Sequence, residues 1–114
     1  MANTFKLVTK AGVTSSDVIY TPDSVTTVIL GLILGNTTSS QVTATVSLAS
    51  TTSSRAGDNN ENNQTVELIT NTPIPAGSSL ELLAGNKVVM ENNDALSVSS
   101  SGSTDVALSI MEIN

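Results

Sequence analysis

Hydrophobic and polar residues alternate along much of this chain with a period of two. The clearest case is residues 42–49, where Val42, Ala44, Val46 and Leu48 alternate with threonine, serine and alanine. This alternation is typical of a β-strand that buries one face. Similar short segments predict further strands at residues 5–9, 17–21, 25–34, 65–70, 80–83, 87–91, 96–99 and 106–113.

Turn-forming residues separate these segments. Ala11-Gly12, Pro22, Pro73, Pro75, Gly77 and Gly102 end or interrupt the runs. No stretch longer than two turns carries apolar residues at helical spacing, and Thr, Ser, Asn and Val are mediocre helix formers. We therefore expect an all-β fold: a single domain over residues 1–114, built as an antiparallel β-sandwich or jelly-roll-like domain of about eight or nine strands. The polar residues 50–64 form a long loop in this interpretation.

The strand at residues 25–34 is apolar on both faces. Strict alternation places Val28, Leu30, Leu32 and Leu34 on one side, yet Ile29 and Ile33 on the other side are equally apolar. The second face is covered either by a loop or terminus of the same chain or by another subunit. Met111 and Ile113 show the same excess in the last strand, which favours a protein contact. The candidate interface is therefore Ile29, Ile33, Met111 and Ile113.

The composition argues against catalysis. The 114 residues include no His, Cys or Trp, and only 2% are aromatic. Histidine and cysteine supply most general bases, nucleophiles and metal ligands, so we expect no enzyme activity, no cofactor and no metal site. The formal net charge of −6 disfavours binding to nucleic acid or to an anionic membrane. The apolar run at residues 28–34 is too short to span a bilayer.

Two acidic and amide-rich segments could hold a cation. Residues 58–63 resemble the opening of a calcium loop, but Asn63 and Ile69 stand where that loop needs Gly and Glu. A solvated polar loop is the simpler interpretation. Residues 91–94 are better explained as turn-forming.

An ordered set of segments goes beyond composition. It comprises Ile-Tyr-Thr-Pro at residues 19–22, Gly-Asn-Thr at 35–37, Asn-Thr-Pro-Ile-Pro-Ala-Gly-Ser-Ser-Leu at 71–80, Asn-Lys-Val-Val-Met at 86–90, and residues 105–112. In this order, from about residue 19 onward, the chain resembles the small virion structural proteins of tailed bacteriophages, especially of phages that infect marine cyanobacteria. The resemblance implies a β-sandwich that coats or joins parts of the virion, with no catalytic residues to carry over.

The expected function is accordingly that of a capsid decoration or cement protein. The implied partners are other virion proteins, such as the major capsid or tail protein, together with further copies of this chain. Since the first residues lack the features of a secretory signal, we expect a virion protein assembled in the host cytoplasm. The alternative is a tail- or neck-associated structural protein, or a module that recognises host-surface glycans through residues 58–63. The scarcity of aromatic residues counts against glycan binding.

Overall fold

The computed structural model describes residues 3–51, 64–83, 85 and 87–113. These residues form nine β-strands and contain no helix. The strands are β1 Asn3–Val13, β2 Ser16–Tyr20, β3 Thr26–Asn36, β4 Val42–Ser50, β5 Gln64–Ile74, β6 Ser79–Leu82, β7 Val88–Met90, β8 Ala95–Ser100 and β9 Thr104–Ile113. The predicted all-β class is confirmed, and each predicted strand overlaps an observed one.

The strand pairing is nested from the ends of the chain inward. β1 pairs with β9, β2 with β8, β3 with both β6 and β7, and β4 with β5, all antiparallel. Two further antiparallel pairs, β9 with β3 and β8 with β4, join these pairs into sheets. Sheet A has the order β1-β9-β3-β6 with β7 also on β3, and sheet B has the order β2-β8-β4-β5. This nesting is the jelly-roll arrangement of a β-sandwich.

The hydrophobic core between the two sheets consists of aliphatic side chains and one methionine. Its buried residues are Val13, Ile19, Ile29, Leu32, Leu34, Val42, Ala44, Val46, Ile74, Met90, Leu96, Val98, Val106, Leu108 and Ile110. Side chains from both inner faces interdigitate in such a core, at a sheet spacing of about 10 Å. The one Phe of the chain lies outside it, and the one Tyr, Tyr20, is partly buried and packs against it.

A β-bulge in β3 corrects the face assignment made from the sequence. Ile29 lies opposite Ile110 and Gly31 opposite Ser109, so Leu30 is an extra residue in the ladder. Such an insertion shifts the alternation by one residue. Ile29 therefore points into the core with Leu32 and is 0% exposed, whereas Ile33 is 44% exposed. The prediction that Ile29 shares an outward face with Ile33 is wrong.

Two strands continue where turn residues predicted an end. β1 runs through Ala11-Gly12, because a register shift between Lys10 and Val13 absorbs them and Gly12 adopts a φ of 69°. Glycine takes this left-handed conformation without steric cost. β5 continues through Pro73 to Ile74. Proline is tolerated there because β5 is an edge strand.

The connection between β4 and β5 is anchored where it begins. Ser50 pairs with Gln64, so the ends of the two strands lie side by side. The Thr51 amide donates a hydrogen bond of 2.9 Å to Oδ1 of the buried Asp94, and the Glu91 amide donates one of 2.9 Å to Oδ2. Residues 91–94 form the predicted turn. Within the predicted loop 50–64, residues 52–63 lie outside the described part of the chain, and so does the calcium-loop resemblance at 58–63.

We expect Gly102→Ala to lower the free energy of unfolding by about 1–3 kcal/mol, the usual cost of overpacking. A Cβ on Gly102 would stand 2.7 Å from Cγ1 of Val42, a buried and β-branched side chain that cannot turn aside easily. Urea denaturation measures the change. Gly31→Ala is the matched control, because a Cβ there meets no atom within 4 Å. Equal stability of the two variants would contradict this account of the Gly102 contact.

Candidate protein–protein interface

The outer face of sheet A carries a row of apolar side chains that crosses four strands. Phe5 of β1 lies opposite Met111 of β9, Met111 lies opposite Val28 of β3, and Val28 lies opposite Val89 of β7. In antiparallel sheets such opposed side chains stand about 5 Å apart on the same face. The four residues therefore form a continuous apolar band across the sheet.

Small and apolar residues extend this band along the strands. The next positions bring Leu7, Ser109 and Gly31 into line, and the positions after them Thr9, Ala107, Ile33 and Glu81. We call the whole surface the apolar face and define it by Phe5, Leu7, Val28, Leu30, Ile33, Val89, Ala107, Met111 and Ile113.

The most exposed hydrophobic residues of the apolar face are large. Phe5 is 71% exposed, Leu7 65%, Val89 50% and Ile33 44%. Burying a side chain of this size stabilises a structure by about 1.5–3 kcal/mol. The described chain leaves that stabilisation unused at four positions, and the one Phe of the sequence is the most exposed of them. A contiguous apolar surface of this kind is a candidate site of protein interaction.

The surface of the apolar face consists of a ridge beside two shallow grooves. Phe5 and Leu7 form the ridge on β1. One groove of about 320 Å³ lies over Gly31 and Ser109 and is bordered by Leu7, Leu30 and Ile33. The other, of about 360 Å³, lies over Gly35 and Ala107, next to Lys10 and Asp105. The small residues on β3 and β9 thus leave room for side chains of a partner.

Charges lie at the margins of the apolar face. Among the outward positions of β1, β3, β6, β7 and β9, the acidic residues are Glu81 and Asp105, both on the Ile33 side of the apolar row. Lys87 and Glu91 flank β7 at its two ends, and Glu91 accepts a hydrogen bond of 2.7 Å from the Thr26 hydroxyl. The row through Met111 itself carries no charge.

The outer face of sheet B has the opposite character. Ser99 lies opposite both Thr45 and Ser16, and Ser97 opposite both Ser47 and Val18, so hydroxyl groups dominate this surface. Hydroxyls keep their hydrogen bonds to water, and burying them unpaired costs free energy. Val18 is 56% exposed there without comparable apolar neighbours across the ladder. Of the two outer faces, the one on sheet A is suited to burial.

The edges of both sheets are protected against pairing with another strand. β1 places Lys6 and Lys10 on its inner side, an arrangement that discourages edge-to-edge association. The ladder of β5 is interrupted by two register shifts, and β5 also contains Pro73. The remaining edge strands, β2, β6 and β7, are five, four and three residues long. Association through a face is therefore favoured over association through an edge.

A polar network ties the two sheets together at one end. The Tyr20 hydroxyl, from sheet B, donates to Oε2 of Glu112 at 2.6 Å and lies 2.8 Å from the Thr27 hydroxyl of sheet A. Lys6 Nζ lies 2.7 Å from Oε1 of Glu112. The hydrogen bond from Lys6, and next that from Tyr20, hold the pKa of Glu112 below its ordinary value. Burial and the Glu112 hydrogen bond raise the pKa of Tyr20 to about 12.

Of the four interface residues predicted from the sequence, the structure brings three together. Ile33, Met111 and Ile113 lie on the outer face of sheet A, while Ile29 belongs to the core. Sequence reasoning missed Phe5, Leu7 and Val89. The alternation of Phe5 and Leu7 with Lys6 was a usable signal, but its ordinary interpretation puts the apolar side inward, and here that side faces outward.

Within residues 3–51, 64–83, 85 and 87–113, no group of three or more acidic, histidine or cysteine side chains gathers as a metal site would. The same residues include no helix long and apolar enough to cross a membrane.

Comparisons with known proteins add a distant structural likeness. No family model matches the sequence, and no curated protein matches it. Among solved structures, a chain from the Bacillus endospore appendages, described as a novel family of disulfide-linked pili, superposes with a TM-score of 0.43 and 10% sequence identity. The superposition covers 97% of this chain and 86% of that one. A likeness at this level carries no argument about function.

Ile29→Asp should strongly destabilise the fold, whereas Ile33→Asp should change its stability little. At the fully buried Ile29, an unpaired carboxylate costs several kcal/mol, so we expect that variant to unfold or to melt far below the wild type. At the exposed Ile33 the same change should alter the free energy of unfolding by less than about 1 kcal/mol. Thermal melting followed by circular dichroism distinguishes them. Similar melting of both variants would contradict the bulge at Leu30.

Lowering the pH should weaken the interactions of Glu112 with Tyr20 and Lys6. Because its pKa is lower in the folded chain than in the unfolded chain, its stabilising contribution is present above the unfolded value of about 4.3 and is lost as pH falls through the folded value. We expect Glu112→Gln to be less stable than the wild type at pH 7 and the difference to shrink below about pH 4. Urea denaturation at several pH values measures this. Glu81→Gln controls for the change in net charge, and a constant difference at all pH values would contradict the role of Glu112.

Proposed function

We propose that this chain is a structural protein of a virus particle, a decoration or cement protein of a tailed bacteriophage, and that it has no enzyme activity. The observation that carries the structural role is the apolar face, on which Phe5, Leu7, Val89 and Ile33 lie exposed next to one another. A protein that works by contact needs such a face, whereas an enzyme needs convergent reactive groups.

The protected edges support a role in a defined assembly. A subunit present in many copies at high local concentration must avoid open-ended strand pairing. Lys6, Lys10 and Pro73, together with the short strands β2, β6 and β7, serve that purpose here. The contact is thereby limited to the apolar face.

The phage assignment is supported by the sequence resemblance from about residue 19 onward. The residues that carry it include the turn at Pro73, Pro75 and Gly77 and the last strand, β9. In this proposal the partner is another virion protein, the major capsid protein or a tail protein, and weak contacts are multiplied by the number of copies on one particle.

The location on the particle is open to direct measurement. Mass spectrometry and imaging of purified particles, before and after mild dissociation, should find this chain on the outer surface of the head. A position on the tail or neck would replace the decoration role with the alternative structural role. Its absence from purified particles would overturn the proposal.

The contact itself is tested with Ile33→Asp. We expect the variant to fold but to lose at least about tenfold in affinity for particles that lack the protein, because a carboxylate would be buried against the partner. Val18→Asp, at an exposed valine on the outer face of sheet B, should bind like the wild type. Occupancy is measured by quantitative electrophoresis of sedimented particles. Full occupancy by the Ile33→Asp variant would remove the apolar face from the contact.

A further inference from the structure

We propose that the apolar face of one chain binds the same face of a second copy, forming a two-fold symmetric pair centred on the row Phe5, Met111, Val28 and Val89. This goes beyond the proposed function, because it concerns the free protein and names the occupant of one half of the face. The other half, around Ile33 and Gly35, remains available to a different protein.

The placement of charge selects this arrangement. The chain carries a formal net charge of −6, so two copies repel each other unless they meet where charge is absent. The central row has none, and Glu81 and Asp105 both lie to one side of it. The proposed two-fold axis lies along this row, between the two faces and perpendicular to the strands. The strands of the second copy therefore run in the reversed direction. Glu81 and Asp105 of each copy then lie beyond the opposite end of the other copy's sheet, which keeps the four carboxylates apart.

The axis also sets which side chains meet. Each strand lies over its own counterpart, so Phe5, Met111, Val28 and Val89 each face the same residue of the second copy. The groove of about 320 Å³ over Gly31 and Ser109 then faces Ile113 and Thr26 of the second copy. A Cβ added at Gly31 meets no atom within 4 Å, so this groove has room for the Ile113 side chain. Apolar sheets pack face to face at about 10 Å when large side chains of one sheet enter spaces between those of the other.

The area of the contact sets its strength. Four strands at about 4.8 Å and three side-chain rows at about 6.8 Å give a planar footprint of about 400 Å² per copy, or about 800 Å² for the pair. That is below the size of permanent dimers and within the range of weak, reversible association. We therefore expect dissociation in the micromolar to submillimolar range rather than an obligate dimer.

The edges do not offer a competing mode of self-association. Pairing β1 with β1 of a second copy would bring Lys6 and Lys10 of both chains together. Like charges directly opposed across a ladder are destabilising. Pairing through β5 meets Pro73 and two register shifts.

Sedimentation velocity of the purified chain over a concentration series tests the pair. The weight-average mass should rise from that of one chain towards twice that value. Phe5→Asp and Val89→Asp should each weaken association at least about tenfold while melting like the wild type. Val18→Asp introduces the same charge at an exposed valine of sheet B and should associate normally.

Cross-linking locates the contact independently. The chain has no Cys, so Met111→Cys provides a single reactive thiol close to the proposed axis. A short bis-maleimide should link this variant into covalent dimers, whereas the Thr45→Cys variant, with its thiol on sheet B, should not be cross-linked. A wild type that is monomeric at every concentration, equal effects of Phe5→Asp and Val18→Asp, or cross-linking through Thr45→Cys would each overturn the proposal.

These results are separable from the test on particles. If the chain is monomeric but Ile33→Asp prevents incorporation into particles, the pair is wrong and the virion role stands. If the pair forms and purified particles lack the chain, the virion role is wrong and the pair stands.

Discussion

The extra residue in β3 is the constraint on which the rest of the structure depends. β3 is the central strand of sheet A and pairs with β9, β6 and β7. Without Leu30 as a bulge, Ile29 and Leu32 could not both point inward, because strict alternation gives them opposite faces. The insertion lets one end of β3 bury Thr27 and Ile29 and the other end bury Leu32 and Leu34. The same shift turns Val28 and Ile33 outward, so the core and the apolar face are two results of one irregularity.

An aliphatic core has consequences for the surface. Leucine, isoleucine and valine bury less area per residue than aromatic side chains, so the stabilisation is spread over many contacts between the two sheets. The Tyr20 to Glu112 hydrogen bond adds a polar link between the sheets at one end of the sandwich. Phe5 lies on the edge strand β1 with its side chain on the outer face of sheet A, which sheet B does not cover. The largest apolar side chain of the protein thereby serves a surface rather than the interior.

The sequence predicted the strands well and their faces poorly. Period-two alternation, punctuated by Gly and Pro, identified all nine strands because strand formation depends on local pattern. The face of a residue depends on register, and register depends on partners distant in sequence. Nothing in the local sequence indicates the bulge at Leu30, because residues 28–34 form a continuous apolar run. Gly12 led to a different error. It predicted the end of the first strand, but β1 continues through it and Gly12 accommodates a bulge there. Three of the four predicted contact residues lie on the apolar face. Only Ile29, which precedes the bulge, was assigned to the wrong face of its strand.

The anchored start of the connection between β4 and β5 makes this chain suited to carrying foreign sequence. Ser50 and Gln64 are held side by side by the ladder, and the Thr51 amide is fixed to Asp94 from a different hairpin. Both ends of the connection are thus set by contacts outside residues 52–63. A peptide of another length placed between these two anchors meets an entropy of loop closure that grows by only about 0.6 kcal/mol for each doubling of length. A graft there would leave the apolar face unaltered in sequence, so a multicopy assembly built on that face would present the grafted peptide once per subunit.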